Sequence, residues 1–258
     1  MVADRTAVVT GGGRGIGQAI CIELAASGAD VVVADIDESA MEETKQLVED
    51  EGQRAVTIKT DLQQLDDVQQ TIDEIFDIFD SVEILVNNAG IAGPTRLCEE
   101  VTAEEWDQTI DVNLRGPFYM CRELLPGMKD QSYGRIVNIA SVTGKRPLEQ
   151  RLPYATAKMG LLGFTRTLAA EVGEHNINVN AICPGSVYGP RIKRVFEEKA
   201  EATNQTYSDI RKEAENASAR NELVSRKDIA QLAAFLCSDN STRITGQDIN
   251  VSSGKVMY

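Results

Sequence analysis

The stretch Thr10–Gly17, TGGGRGIG, decides the fold. It places glycines at 11, 12, 13, 15 and 17, directly after the apolar run RTAVVT (Arg5–Thr10) and directly before IGQAICIELAASG, whose apolar residues recur at helical spacing up to Gly28. Strand, tight turn and helix therefore follow one another without a gap. Glycines in such a turn let the backbone approach a phosphate, and the open N–H groups at the start of the next helix attract its negative charge. The spacing is G-x-x-x-G-x-G, because Gln18 replaces the last glycine of the commoner G-x-G-x-x-G. Gly11, Gly13, Arg14, Gly15, Ile16 and Gly17 are the candidate contacts to a dinucleotide's phosphates.

Outward from this turn the alternation continues. ADVVVAD, RAVTIKTD, VEILVNN, GRIVNIAS and INVNAICPG read as strands, and ESAMEETKQLVEDEG, the stretch from Ala103 to about Lys129 and YATAKMGLLGFTRTLAAEVGE read as helices. Strands apolar at nearly every position belong to a parallel sheet buried on both faces by crossover helices. From about Tyr188 to Arg220 the pattern changes to a charged stretch, expected to be a mobile helical insertion covering the substrate. RKDIAQLAAFLCSD and TGQDINVSSG then supply a last helix and strand, leaving residues 1–258 as one domain. The expected fold is a single-domain, doubly wound Rossmann α/β fold with a mostly seven-stranded parallel sheet. Asp35 closes the second strand, where an acidic side chain accepts hydrogen bonds from an adenosine ribose and repels a 2′-phosphate. This favours NAD over NADP, while Arg14 is the one feature a 2′-phosphate would meet.

Composition narrows the function classes. No apolar run reaches the roughly 18 residues of a membrane span, and the start MVADRTAVVTGGG lacks the features of a secretory signal. A net charge of −14 disfavours nucleic acid and anionic membranes as partners. Cys21, Cys98, Cys121, Cys183 and Cys237 show no C-x-x-C spacing and are expected as buried free thiols in a reducing cytoplasm. With His175 the single histidine, no metal site is expected.

Tyr154 and Lys158 lie four residues apart in YATAK, so both project from one helix face. A phenol of ordinary pKa about 10 is a poor base at neutral pH, and a neighbouring ammonium favours its ionised form. Ser141 ends the strand GRIVNIAS, thirteen residues before Tyr154. Together with NNAG (Asn87–Gly90) and the PG of Pro184–Gly185, these motifs resemble, in order and along the whole chain, the short-chain dehydrogenase/reductase family, in the shorter form typified by beta-ketoacyl carrier-protein reductases and sugar or polyol dehydrogenases. The resemblance implies that Tyr154 exchanges a proton with the substrate oxygen, that Ser141 holds that oxygen, that Lys158 tunes the tyrosine and binds the nicotinamide ribose, and that Asn113, in DVNLRG, anchors a relay water. It implies Asp61 and Leu62 beside the adenine, Asn87, Ala89 and Gly90 along the adenosine ribose, and Pro184, Gly185 and Val187 at the nicotinamide end. It also implies a homotetramer. Two departures stand out: Gly189 replaces a frequent threonine, and VSSGKVMY replaces a common V-D-G-G ending, so no function is carried onto that ending.

Basic residues cluster near these motifs: Lys145, Arg146 and Arg151 between Ser141 and Tyr154, and Arg191, Lys193 and Arg194 after Pro184. Either they are solvated charges and salt bridges, or some, with Arg146, Arg151 and Arg191 the candidates, select an anionic or heavily hydroxylated alcohol or its ketone. The expected function is NAD-dependent interconversion of a secondary alcohol and its ketone, with a small polyol, sugar or anionic hydroxy compound as substrate. A 3-oxoacyl thioester reductase using NADPH and a non-catalytic nucleotide-sensing protein are the alternatives.

Overall fold

The computed structural model describes residues 2–258, apart from the side chains at 190, 191, 198, 199 and 202. Seven strands, β1 (Thr6–Thr10), β2 (Asp30–Asp35), β3 (Ala55–Lys59), β4 (Ile84–Asn87), β5 (Gly134–Ile139), β6 (Ile177–Pro184) and β7 (Asp248–Val251), form one parallel sheet in the order β3-β2-β1-β4-β5-β6-β7. The order reverses between β1 and β4, and at such a switch point the carboxyl ends of the strands open a crevice for a ligand.

The helices are α1 (Gly15–Ala26), α2 (Glu38–Asp50), α3 (Leu65–Phe76), α4 (Ala103–Ile110), α5 (Gly116–Asp130), α6 (Leu152–Val172), α7 (Pro190–Thr203), α8 (Tyr207–Asn216) and α9 (Arg226–Cys237). Alternate residues of each strand feed opposite faces. Ala7, Val9, Val31 and Val33 pack with Ile20 and Leu24 of α1 and Ile229 and Ala233 of α9. Val8, Val32 and Leu85 pack with Ile72 of α3 and Met120 and Leu124 of α5. Two apolar cores therefore hold the sheet.

The helical stretch from Ala103 to about Lys129 is two helices, α4 and α5, joined by a π-helical turn, Asp111–Arg115. The charged stretch after Tyr188 is α7 and α8, tied together by Phe196, Ala200 and Ile210 and started at Thr206, whose hydroxyl accepts from the Asp209 N–H. Four cysteines are buried as expected, but Cys98 is exposed because it sits in a surface turn, Cys98–Glu100, rather than in a core element.

Candidate active site

The glycine turn is held in place by Asn88. Its Nδ2 donates to the carbonyls of Thr10 and Gly11, both at 2.9 Å, and its backbone N–H donates to Thr10 Oγ1 at 3.1 Å. Gly11 adopts φ +62°, and a Cβ at Gly17 would lie 2.0 Å from the Gly11 carbonyl oxygen, so these two positions require glycine for conformation and for close approach respectively. Gly13 lies against β2, donating its N–H to Asp35 Oδ2 at 3.0 Å, and Ile16 packs partly on the core. At Gly15, with φ +65°, nothing stands within 4 Å of an added Cβ. Helices α2, α4, α8 and α9 begin with a side-chain cap, whereas α1, like α3, α5, α6 and α7, begins without one, and α1 has no acidic residue in its first turn. Its leading N–H groups thus have no side-chain acceptor, which suits a pyrophosphate.

Asp35 Oδ1 accepts from the N–H groups of Ile36 and Asp37 at 2.7 and 3.1 Å, which fixes the carboxylate at the end of β2. Arg14 is drawn to Asp37 at 3.5 Å, and Asp37 also caps α2 through the Ala40 N–H. The arginine that a 2′-phosphate would meet is therefore already facing an acid. Asp61 Oδ1 accepts from the Gln63 N–H at 3.0 Å, and Leu62 is buried against Gly116. Asn87 Nδ2 donates to Asn138 Oδ1 at 2.8 Å, and the Ala89 N–H donates to Thr10 Oγ1 at 3.1 Å.

Across the switch point, Lys158 Nζ is buried and donates to the Ile139 carbonyl at 2.9 Å, and it stands 5.8 Å from the centre of the Tyr154 ring. Ser141 stands two residues past the end of β5, and its Oγ accepts the Thr143 N–H at 3.1 Å. The short turn that follows, Val142–Gly144, packs so closely on α6 that a Cβ at Gly144 would lie 2.8 Å from the Lys158 carbonyl oxygen, which brings the serine loop to the tyrosine helix. Asn113 is wholly buried in the π-helical turn. The widened turn leaves the Thr109 carbonyl to Asn113 Nδ2 at 2.8 Å, with the Ile91 carbonyl as second acceptor at 3.1 Å. Among the described residues Asn113 Oδ1 has no hydrogen-bond partner, and a Cβ at Gly90 would lie 2.7 Å from it and 3.5 Å from Lys158 Nζ. Gly90, Asn113 and Lys158 therefore converge, with an acceptor to spare for a water. At the end of β6, the Gly185 N–H donates to the Val251 carbonyl at 2.8 Å, and Val187 bridges to Val224. Gly189 stands in extended backbone just before α7.

The basic residues separate into different roles. Lys145 Nζ turns away to Asp248, meeting its Oδ2 and its carbonyl at 2.8 Å each. Arg151 donates to the Ala92 carbonyl at 2.6 Å and lies 5.2 Å from the centre of the Tyr154 ring, so it borders the site. Lys193 pairs with Glu197 at 3.7 Å, Arg194 is exposed, and the side chain of Arg191 lies outside the described residues. Arg146 is half-buried near Lys255, whose Nζ donates to Ser186 Oγ at 3.2 Å. Neither spacing nor resemblance gives Asn88, Thr10 or Lys255 a role; for Asn88 the NNAG motif itself holds the signal.

The family model for short chain dehydrogenases matches residues 5–200. The 3-oxoacyl-(acyl-carrier-protein) reductase FabG of Staphylococcus epidermidis is 33% identical to the chain over 98% of it and 100% of the relative. Among solved structures, an NAD+-bound xylitol dehydrogenase superposes with TM-score 0.92 at 26% identity, over 98% of this chain and 99% of the other. An actinorhodin polyketide ketoreductase variant with NADPH superposes with TM-score 0.93 at 29% identity, over 98% of both. The chain therefore belongs to the short-chain dehydrogenase/reductase family, as an NAD(P)-dependent oxidoreductase acting on CH–OH and keto groups.

Proposed function

We propose that the chain is an NAD-dependent dehydrogenase that interconverts a secondary alcohol, of the small polyol, sugar or anionic hydroxy class, and its ketone. The observation that carries this reading is the meeting of Tyr154, Lys158, Asn113 and the Ser141 loop at the carboxyl ends of the strands, beside the uncapped start of α1. In the oxidising direction Tyr154 Oη takes the proton of the alcohol, and Ser141 Oγ holds the substrate oxygen by a hydrogen bond. Lys158, one turn along the helix, stabilises the phenolate that this requires and binds the nicotinamide ribose. Asn113 Oδ1 accepts from a water that carries the proton onward. Bound NAD supplies the hydride acceptor.

The first-turn N–H groups of α1 hold the pyrophosphate, with Gly11, Gly13, Gly15 and Gly17 keeping the backbone close. Asp35 takes the ribose hydroxyls, Asp61 and Leu62 border the adenine, Asn87, Ala89 and Gly90 line the ribose, and Pro184, Gly185 and Val187 the nicotinamide. Asp35 supports NAD over NADP, because its carboxylate repels a 2′-phosphate, and Arg14 is engaged by Asp37. A 3-oxoacyl reductase using NADPH is the competing enzyme reading, favoured by the similarity to FabG. A nucleotide sensor without chemistry would have no use for the buried Lys158 and Asn113 beside the tyrosine. Helices α7 and α8 cover the substrate as a mobile insertion. Phe118, Cys121, Leu125, Pro126, Phe164 and Leu168 line an apolar groove between α5 and α6, which supports assembly into a homotetramer.

Initial rates over a library of sugars, polyols and short 3-oxoacyl thioesters, with NAD and NADP in parallel, test this reading. The expected result is turnover of secondary alcohols with NAD, abolished in Tyr154→Phe while NADH binding persists. Activity retained by Tyr154→Phe, or thioester reduction with NADPH alone, overturns it.

A further inference from the structure

Several cations near the site meet an acid: Lys145 and Arg166 meet Asp248, and Lys193 meets Glu197. Arg146 and Lys255 are different. Lys255 is half-buried, its Nζ rests on Ser186 Oγ, and among the described residues neither it nor Arg146 has a carboxylate partner. Burial, and then the charge of Arg146, push the Lys255 ammonium below the usual lysine range. Two unneutralised cations held together in a chain of net charge −14 are costly unless an anion joins them.

Their position follows from the fold. Arg146 lies five residues beyond Ser141, and Ser186 two beyond Pro184, and the strands that end there, β5 and β6, are hydrogen-bonded neighbours with Ile139 opposite Ile182. Lys255 is brought to the same edge by a hydrogen-bonded tail. The Lys255 N–H donates to the Ser252 carbonyl at 2.9 Å, and the Val256 N–H donates to Ser252 Oγ at 3.2 Å. Val256 is buried with Ala140 and Val142 of the serine loop. Lys145 Nζ clamps the end of the tail by donating to the Tyr258 carbonyl at 3.3 Å. Lys255 is therefore presented between the serine loop and the Pro184–Gly185 turn, where substrate rather than adenosine is expected.

We propose that Arg146, Lys255 and Ser186 Oγ form an anion subsite that seats a carboxylate, sulfonate or phosphate carried by the alcohol, so that the substrates are small anionic secondary alcohols. The proposal rests on the alcohol-oxidising reading of Tyr154 given above. Three charged probes separate the anions: 3-hydroxybutanoate, 2-hydroxypropane-1-sulfonate and 2-hydroxypropyl phosphate, each measured against a neutral counterpart (3-hydroxybutanamide, 1-(methylsulfonyl)propan-2-ol and 1-methoxypropan-2-ol). For at least one pair the charged member has the higher kcat/KM by about tenfold or more, as hydrogen bonds to a charged group imply. Lys255→Met and Arg146→Met each reduce that ratio through KM, and Lys255→Arg restores most of it. A ratio near one for all three pairs in the wild type, or a ratio unmoved by both variants, overturns the subsite and leaves the dehydrogenase reading standing. If the wild type oxidises neither these probes nor the sugar and polyol library with either nucleotide, the dehydrogenase reading fails instead. Calorimetric titration with sulfate then decides the subsite: heat lost in Lys255→Met supports it, and equal heat in both proteins overturns it.

Discussion

Replacing Gly17 by alanine tests the packing of the glycine turn. The added Cβ would lie 2.0 Å from the Gly11 carbonyl oxygen, 2.5 Å from Asn88 Nδ2 and 2.8 Å from the Gly11 carbonyl carbon. Ordinary van der Waals separation is about 3.5 Å, so the Gly11 carbonyl must retreat by roughly 1.5 Å. It has nowhere to go. The Gly11 N–H is bonded to the Ala34 carbonyl at 2.7 Å, its carbonyl accepts from Asn88, and a Cβ on Gly11 itself would lie 2.7 Å from Ala89 Cα. Overpacking of this kind costs about 1–3 kcal/mol, and loss of the Asn88 hydrogen bond adds about 1 kcal/mol. The total of about 2–4 kcal/mol corresponds to a fall in Tm of roughly 4–16 °C for a chain of this size. Gly15→Ala is the contrasting variant, with open space but φ +65°, and its backbone strain is about 1–2 kcal/mol. Thermal melts and NADH fluorescence titrations of both variants are the assay. Gly17→Ala should lose both stability and NADH affinity, and Gly15→Ala mainly affinity. A Gly17→Ala protein that melts with the wild type, or is more stable than Gly15→Ala, would refute the close-approach argument.

Three further outcomes are expected. Burial alone would raise the Asp248 carboxyl, but hydrogen bonds from Lys145 and Arg166 outweigh it and hold the group below the usual range. Its contribution is present above the ordinary carboxylate pKa of about 3.9 and is lost as pH falls through the lower folded value, so Asp248→Asn should lower Tm at neutral pH and converge on the wild type in strong acid. Iodoacetamide should label Cys98 alone in the folded protein, as mass spectrometry would show, because burial pushes Cys183 up to about 11 and Cys121 and Cys237 up to about 12, and Cys21 is raised by the same cause; early labelling of any of these four would count against their burial. Gly90→Ala places a Cβ 2.7 Å from Asn113 Oδ1 and 3.5 Å from Lys158 Nζ, and displacement of catalytic groups by a fraction of an ångström to 1 Å costs about tenfold to a hundredfold in kcat; steady-state kinetics at saturating cofactor would show it.

Local patterns carried most of the fold. Strand runs such as VVVAD, the glycine turn and the helical spacing after it depend on neighbours only a few residues apart, so the doubly wound sheet was legible from the chain. The pairing of Tyr154 with Lys158 was legible for the same reason, since a helix sets the distance between residues four apart. The capped start of α8 was written in Thr206 and Asp209. Other features depend on residues that only the fold brings together. A π-helical turn has no periodic signature in DVNLRG, yet it frees the Thr109 carbonyl and aims Asn113 at the site. Lys145 looked equivalent to Arg146 in sequence, but Asp248, 103 residues away, claims it. Lys255 meets Ser186 across 69 residues, because β6 and the tail end at the same edge of the sheet. Sequence periodicity determined the elements and their order, while tertiary packing alone decided which charges were neutralised and which were left for a ligand, because separation along a chain says nothing about distance once crossovers have folded it.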